Sequence, residues 1–213
     1  IHDRARTGTT VGKSMPLVDA NAKVTGQAWY GDDVRLPNEI IGRIVRSPHH
    51  YAKVVSVDTS QAEALPGVLA VATGEDAPNK FGVLPVTKDE HAMAVEKVRH
   101  VGDLVACVAA VDEATAREAA SLIKVEYEVL DSIHDMKKGL EDVDEPIHWR
   151  GKYHVGSTNV QKRVFQEFGD RSMVENPNAM YHGKWKYMGV NHGFTEPHAV
   201  VAHWDSNGRL QLY

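Results

Sequence analysis

Residues 104–129 carry the clearest fold signal: the apolar run Leu104-Val105-Ala106-Cys107-Val108-Ala109-Ala110-Val111 precedes an alanine-rich stretch and then Lys124-Val125-Glu126-Tyr127-Glu128-Val129. The first run predicts a strand that is buried on both faces. Asp112 can cap a helix whose apolar residues recur at i, i+3, i+4 and i+7, namely Ala116, Ala119, Ala120 and Ile123. The last run alternates with period two, which is typical of a half-buried strand. These residues therefore predict a strand–helix–strand segment.

The same pattern occurs earlier in the chain. Val54, Val55 and Val57 predict a β-branched strand, and Ser60-Gln61-Ala62-Glu63 is a capping box in which Ser60 accepts the amide of Glu63. Pro66-Gly67 ends the short helix, and Val68-Leu69-Ala70-Val71-Ala72 resumes as a strand. A further strand is predicted at residues 39–46. The sequence therefore predicts an α/β (α+β) domain at residues 18–133 with two strand–helix–strand units.

Three further regions flank this domain. Residues 1–17 are polar and predict an N-terminal arm, and residues 134–160 predict a linker rich in charged residues and glycine. Residues 161–213 predict strands at 184–188, 198–204 and 209–213, the last two joined by the turn Asp205-Ser206-Asn207-Gly208. Since about fifty residues rarely fold alone, and an exposed edge strand promotes aggregation, we expect the rest of this sheet on another chain or on a continuation.

The composition indicates an ordinary folded protein and excludes several function classes. The chain has 213 residues, of which 42% are hydrophobic, and its formal net charge is -5. A mildly acidic chain lacks the basic surface of a nucleic-acid-binding protein. No apolar run approaches the roughly 20 residues of a membrane-spanning helix. The single cysteine, Cys107, can form no internal disulfide and cannot hold an iron–sulfur cluster, which predicts a reducing, cytoplasmic compartment.

The residues alone provide no complete catalytic set. The sequence contains no nucleophile elbow, phosphate-binding loop or dinucleotide fingerprint, so the catalytic residues stay unknown and no metal ligand is assigned. The segment His192-Gly193-Phe194-Thr195-Glu196-Pro197-His198 would place two imidazoles and a carboxylate on one face of a strand, although Pro197 interrupts that pattern. A metal site, a structural or cofactor-proximal role, and ordinary strand or turn positions remain open for this segment.

Several motifs together resemble one known family. They are Val11-Gly12-Lys13-Ser14-Met15-Pro16-Leu17-Val18-Asp19, Lys23-Val24-Thr25-Gly26-Gln27-Ala28, Tyr30-Gly31-Asp32-Asp33, Arg46-Ser47-Pro48-His49, Ala64-Leu65-Pro66-Gly67-Val68 and Lys97-Val98-Arg99-His100-Val101-Gly102-Asp103. The chain resembles the molybdenum-binding large subunit of the xanthine dehydrogenase/aldehyde oxidase family, and residues 18–133 resemble its a/b hammerhead domain. Phe81-Gly82-Val83-Leu84-Pro85-Val86, followed by Glu90, is most similar to the 4-hydroxybenzoyl-CoA reductase branch.

The later part of the chain extends the resemblance. Gly189-Val190-Asn191-His192-Gly193-Phe194-Thr195-Glu196-Pro197 resembles the segment that enters the first molybdopterin-binding domain, so residues 161–213 would be the incomplete beginning of that domain. The resemblance places Val190, Asn191 and His192 near the molybdenum. Many members have a glutamine in place of Val190, and since valine cannot donate a hydrogen bond, that contact is absent here. The family's glycine-rich cofactor loop and its glutamate base are not in this sequence.

The resemblance implies an oxidoreductase that hydroxylates or reductively dehydroxylates an aromatic or heterocyclic small molecule. Its molybdopterin dinucleotide would be bound mainly by a remaining molybdenum-binding polypeptide, as a continuation or partner chain. Electrons would pass through an iron–sulfur subunit with [2Fe-2S] and a subunit with FAD, so this chain is not expected to be active alone. Two alternatives remain: a non-catalytic assembly or binding subunit of such a complex, and a histidine-based metal carrier.

Overall fold

The structure is a computed structural model that describes residues 12–82, 88–149, 151–170, 172 and 181–213. Residues 1–11 of the predicted arm and residues 83–86 of the branch motif therefore lie outside the described residues. The contacts divide the chain into two compact units. The large unit is Glu39–His182, and the small unit combines Ile1–Asn38 with Gly183–Tyr213.

The described residues form strands, α-helices and two short 3-10 helices. The strands are β1 (Ile41–Arg46), β2 (Ala52–Asp58), β3 (Val68–Thr73), β4 (Lys80–Phe81), β5 (Glu90–His91), β6 (Lys97–Val98), β7 (Leu104–Ala110), β8 (Lys124–Val129), β9 (Ala202–Trp204) and β10 (Leu210–Leu212). The α-helices are α1 (Ala20–Val24), α2 (Ser60–Glu63) and α3 (Glu113–Leu122), and the 3-10 helices are Gly31–Asp33 and Lys138–Leu140.

Two three-stranded antiparallel sheets dominate the large unit. One sheet has the strand order β1-β7-β3 and the other has the order β6-β2-β8. Each predicted strand–helix–strand unit connects the two sheets, because β2 and β3 flank α2 in different sheets, and so do β7 and β8 around α3. The structure confirms the predicted mixed α/β (α+β) class, and its sheets are antiparallel.

The central strand β7 is buried on both faces, as its continuous apolar sequence predicts. Ala106 and Val108 pack with α2 and α3 residues in one apolar cluster, whereas Val105 packs on the opposite face with Ala52 and Val98. This division follows from the period-two geometry of a strand. The large unit therefore has a hydrophobic core of its own, built around β7.

The ends of α2 and α3 show how local chemistry sets the helix boundaries. Asp112 is the N-cap of α3, since its Oδ1 accepts the amide of Thr115 at 2.8 Å, as predicted. The predicted capping box at α2 is wrong by one residue. Thr59 is the N-cap, and its Oγ1 donates to Glu63 Oε1 at 2.6 Å. Because Ser60 is the first helical residue, it cannot cap, and its hydroxyl donates instead to Asp58.

Two of the motifs that carried the resemblance meet in the large unit. Ser47 is buried, its amide donates to the carbonyl of Asp103, and its carbonyl accepts the amide of Gly102, both at 2.8 Å. The guanidinium of Arg46 donates to Gly102 O at 2.8 Å. The two motifs thus form one turn-to-turn contact, which satisfies backbone groups that no sheet ladder covers.

The small unit contains α1, the 3-10 helix Gly31–Asp33 and the hairpin β9–β10. The hairpin turn is as predicted, with Asp205 Oδ1 accepting the amides of Asn207 at 2.8 Å and Arg209 at 2.9 Å. The strand predicted at residues 184–188 is wrong, since residues 181–200 have no regular secondary structure. Alternation alone cannot form a strand here, because the described chain provides no partner strand for these residues.

None of the described residues of the small unit is buried. Its large apolar side chains face solvent, with Trp29 at 80% and Trp185 at 71% of full exposure.

The helices of the described ranges are all too short or too polar to span a bilayer. The predicted boundaries at 17/18, 133/134 and 160/161 stay predictions.

Candidate functional site

The predicted site residues Val190, Asn191 and His192 lie in the irregular part of the small unit. Val190 is 88% exposed, so its isopropyl group packs against almost nothing in this chain. Asn191 Oδ1 accepts the amide of Gly193 at 3.0 Å, which forms a turn that reverses the backbone. Gly193 has φ +57°, a left-handed conformation that costs glycine nothing because it lacks a Cβ.

A short aromatic series follows this turn. The His192 ring stacks on Phe194, with 5.3 Å between the centroids and 10° between the planes. Phe194 in turn meets His198 edge to face at 6.0 Å. Stacked and edge-to-face pairs of this kind add a modest stabilisation beyond burial. The predicted common strand face of His192, Glu196 and His198 is therefore wrong, and the side chains are related instead through Phe194.

A shallow open depression lies beside this series. Its volume is about 330 Å³, and its lining residues are Phe194, Glu196, Pro197, His198 and Ala199. The lining combines one carboxylate and one imidazole with an aromatic ring. Such a surface can hydrogen-bond a polar group and stack on a planar one, which suits a contact wall more than an enclosed catalytic pocket.

Helix α1 and the 3-10 helix Gly31–Asp33 flank residues 190–199 within the small unit. A Cβ added to Gly31 would lie 3.3 Å from the carbonyl oxygen of Ala199, so the backbones approach closely there. The pKa of Lys23 is raised, first by its hydrogen bond to Asp19, then by the charge of Asp19, and to a smaller extent by Glu196. The Lys23 ammonium therefore counts among the positive charges near the segment.

The residues that the resemblance places near the cofactor do not by themselves form a site for it. Within the described ranges, no group of three or more His, Cys, Asp or Glu side chains is arranged to hold a metal ion. Val190 has no polar side-chain atom, and Asn191 already uses its oxygen in the turn. Among the described residues, the segment at 190–199 therefore offers hydrogen-bonding and stacking groups but no set of metal ligands.

Cys107 has the inert environment that its sequence context predicts. It lies half-buried in the middle of β7, opposite Ile44 on β1 and Ala72 on β3. Burial raises the pKa of its thiol, and a hydrogen bond from Ala72 only partly offsets that effect. Because the thiolate is the reactive form, this cysteine is a poor nucleophile.

The sequence reasoning missed a polar cluster in the large unit, centred on Asp89. Its carboxylate accepts hydrogen bonds from the Trp149 amide at 2.7 Å, His148 Nδ1 at 3.2 Å and Arg99 Nη2 at 3.5 Å. Asp89 is only 3% exposed. The one available signal was the apolar and aromatic series Pro146-Ile147-His148-Trp149, which is unusual inside a polar linker.

Comparisons with known proteins agree with the resemblance. The family described as "Aldehyde oxidase and xanthine dehydrogenase, a/b hammerhead domain" matches residues 25–131. The chain is 33% identical over 205 residues to the nicotinate dehydrogenase large molybdopterin subunit of Eubacterium barkeri, covering 95% of this chain and 46% of that protein. It is 38% identical over 165 residues to the xanthine dehydrogenase molybdenum-binding subunit of Escherichia coli O157:H7, covering 69% of this chain and 21% of that protein.

Solved structures match the same region. The CO dehydrogenase of Oligotropha carboxidovorans is 36% identical, with a TM-score of 0.55 over 60% of this chain and 16% of that chain. The aldehyde oxidoreductase of Desulfovibrio gigas is 34% identical, with a TM-score of 0.55 over 62% of this chain and 16% of that chain.

These relatives are considerably longer, since the chain spans about half the length of the first and about a fifth of the second. The family match nevertheless covers half of this chain and coincides with the two-sheet core of the large unit. The chain therefore belongs to the aldehyde oxidase and xanthine dehydrogenase family, with its a/b hammerhead domain at residues 25–131.

Proposed function

We propose that this chain is the hammerhead-bearing part of a molybdenum-cofactor-dependent oxidoreductase of the xanthine oxidase type. The observation that carries the proposal is the similarity to a large molybdopterin subunit over 95% of the chain. A match of that extent reaches both the hammerhead domain and the segment Val190 to His192. The proposal therefore rests on sequence similarity in both units and not in the hammerhead domain alone.

The exposed apolar surface of the small unit supports the same proposal. Trp29, Trp185, Tyr187 and Trp204 are all mostly exposed, and none of the unit's described residues is buried. Exposed aromatic side chains in such number mark a surface that is covered in the working protein. We propose that the remaining molybdenum-binding polypeptide covers them and contributes the residues that hold the cofactor.

The proposed cofactor is a molybdopterin dinucleotide, with [2Fe-2S] and FAD in partner subunits. The molybdenum supplies the two-electron chemistry that inserts or removes a hydroxyl oxygen on an electron-poor carbon. In this proposal the chain's own residues provide one wall of the substrate approach, with Phe194 and His198 available for stacking. Cys107, half-buried and alone, is consistent with the cytoplasm as the proposed location.

The proposed substrate is an aromatic or heterocyclic small molecule, and the proposed branch is that of 4-hydroxybenzoyl-CoA reductase. Val190 supports the branch, because the resemblance gives that branch a valine at this position, where many members have a glutamine that can donate a hydrogen bond. Aromatic thioesters, N-heterocycles and aldehydes are the three classes to compare.

Turnover by the assembled complex tests the proposal. The complex containing this chain is purified with wild-type chain, with Val190→Gln and with Val55→Gln, and each is assayed with 4-hydroxybenzoyl-CoA, nicotinate, xanthine and benzaldehyde. Val190 is 88% exposed and Val55 is 61% exposed, so neither change should disturb folding of this chain. We expect Val190→Gln to change kcat or KM at least several-fold and Val55→Gln to leave both unchanged.

The alternative function is a non-catalytic assembly subunit. The feature favouring it is that the sequence contains no complete catalytic set. It predicts that both valine variants support wild-type turnover and that only the yield of assembled complex responds to changes in the small unit. Equal kinetics for all three complexes would therefore reject the catalytic-wall proposal.

A further inference from the structure

A buried carboxylate in the large unit organises a segment that has no secondary structure of its own. Asp89 precedes β5 and is 3% exposed. Two of its three donors, the amide of Trp149 and the imidazole of His148, come from residues about sixty positions further along the chain. A buried carboxylate needs such donors, because removing its charge from water is costly.

Arg99 links Asp89 to the same distant segment. Its Nη2 lies 3.5 Å from Asp89 Oδ2, and its Nε donates to the carbonyl of Ile147 at 2.9 Å. The backbone of Arg99 is itself fixed, since its amide donates to Asp103 Oδ2 at 2.9 Å. The guanidinium is therefore placed to hold the carboxylate and the backbone of the segment at once.

Side chains also satisfy both backbone groups of Ile147. The Ile147 amide donates to Asn159 Oδ1 at 2.9 Å, and the Ile147 carbonyl accepts from Arg99. The Glu145 carboxylate pairs with the ammonium of Lys97 on β6. Residues 145–149, which we call the strap, thus lack a ladder and depend on polar contacts with residues 89–99 and with Asn159.

We propose that Asp89 is a positioning residue that fastens the strap to the hammerhead domain, so that loss of its charge releases residues 145–149 as a unit while the core stays folded. The inference does not depend on the proposed function, because it concerns contacts within the large unit only. Arg99 and His148 act through Asp89, because both hydrogen-bond the buried carboxylate that also accepts the Trp149 amide.

The strap's role predicts a local effect and not a general loss of stability. In Asp89→Asn an NH2 group replaces one of the two carboxylate oxygens, so only one acceptor atom is left for the three donors, and the charge that attracts Arg99 and His148 is gone. The core residues Val105 and Val108 lie in apolar clusters that do not include Asp89. Local opening of the strap, measured by hydrogen exchange, should therefore increase, whereas local opening of β7 should not.

Hydrogen exchange followed by mass spectrometry on the whole 213-residue chain tests the proposal. The comparison is between peptides covering residues 141–160 and peptides covering β7. We expect Asp89→Asn to speed exchange of the Ile147 and Trp149 amides roughly tenfold or more, with β7 peptides unchanged. Asp112→Asn is the matched control, because it removes the same charge from an exposed helix cap that asparagine also forms well.

Two milder variants keep the test decisive if Asp89→Asn folds poorly. His148→Ala removes one donor from a half-exposed side chain, and Arg99→Lys keeps the charge but loses the Nε contact with Ile147. Each should speed strap exchange, by less than Asp89→Asn. Unchanged strap exchange in these variants would overturn the proposal. So would equal acceleration of strap and β7 peptides, which would make Asp89 a general contributor to stability.

Discussion

At the scale of single residues, two buried or capping carboxylates differ in how far away in the sequence their partners lie. Asp112 caps α3 through Thr115, three positions away, and the sequence predicts that contact because it is local. Asp89 meets Trp149 at a separation of 60 residues. Nothing in the short stretch around Asp89 reveals that contact, because only the tertiary fold brings the two together.

Asp89 also makes the stability of the strap depend on pH. Burial alone raises the pKa of its carboxyl, but the hydrogen bonds from Trp149 and His148 and the charges of His148 and Arg99 outweigh burial and lower the pKa overall. A carboxyl with a lowered folded-state pKa stabilises the structure above its ordinary value, about 4, and loses that contribution as the pH falls through the folded value.

We therefore expect the wild type and Asp89→Asn to differ in strap protection by about 2 kcal/mol at neutral pH, the usual size of a hydrogen-bonded charge. The difference should stay constant down to about pH 5, begin to shrink near pH 4, and vanish only when the pH falls below the folded-state pKa of Asp89, which lies lower. Hydrogen exchange of residues 141–160 across this range measures it, with Asp112→Asn as control. A difference that persists undiminished at acid pH would show that the Asp89 charge is not what holds the strap.

Around the predicted site residues, the geometry did not follow from the sequence. His192 and His198 are related through the Phe194 ring and not by strand alternation. Proline at 197 and glycine at 193 remove the regular backbone on which the alternation argument depends. The role proposed for residues 190–192 is still a prediction.

At the scale of elements, the strands and helices around β7 were predictable because their sequence signals agree with one another, whereas β4, β5 and β6 were not predicted. β7, α3 and β8 follow directly from an apolar run, a helical stripe and an alternating stretch. The pairing of these elements did not follow, since the strand order β1-β7-β3 depends on contacts between distant segments. The strand at residues 184–188 was mispredicted for the related reason that alternation requires a partner strand.

The turn after β3 provides a sharp test of the packing between elements. A Cβ on Gly74 would lie 2.6 Å from the carbonyl oxygen of Met93 and 2.7 Å from that of Ala94. These are backbone atoms, so they cannot move aside as a flexible side chain could. Gly74→Ala should therefore destabilise the large unit by about 1–3 kcal/mol through overpacking.

Gly42→Ala is the matched control for this change, because Gly42 lies on β1 and an added Cβ meets nothing within 4 Å. It should alter the free energy of unfolding by less than about 0.5 kcal/mol. Chemical denaturation monitored by circular dichroism measures both variants. Equal stability of Gly74→Ala and Gly42→Ala would contradict the close approach of β3 to residues 93–95.

At the scale of the whole molecule, the two units differ in how their apolar residues are used. The large unit buries its own clusters around β7, whereas none of the described residues of the small unit is buried. A polypeptide that exposes several tryptophans gains free energy when a partner surface covers them. This contrast is the physical basis for the proposal that the small unit belongs to a larger assembly. From the sequence alone, the corresponding indication was a shortage of strands in residues 161–213.

We propose that this chain works within a molybdenum-containing complex, and metal analysis of the natively purified complex is the decisive measurement. Affinity capture through this chain, followed by elemental analysis and flavin quantification, should yield molybdenum in stoichiometric amount with the chain, together with iron and FAD. The separately purified chain should retain none of them. Recovery of the chain from its native source without molybdenum, as a stable species with no partner polypeptides, would contradict the account.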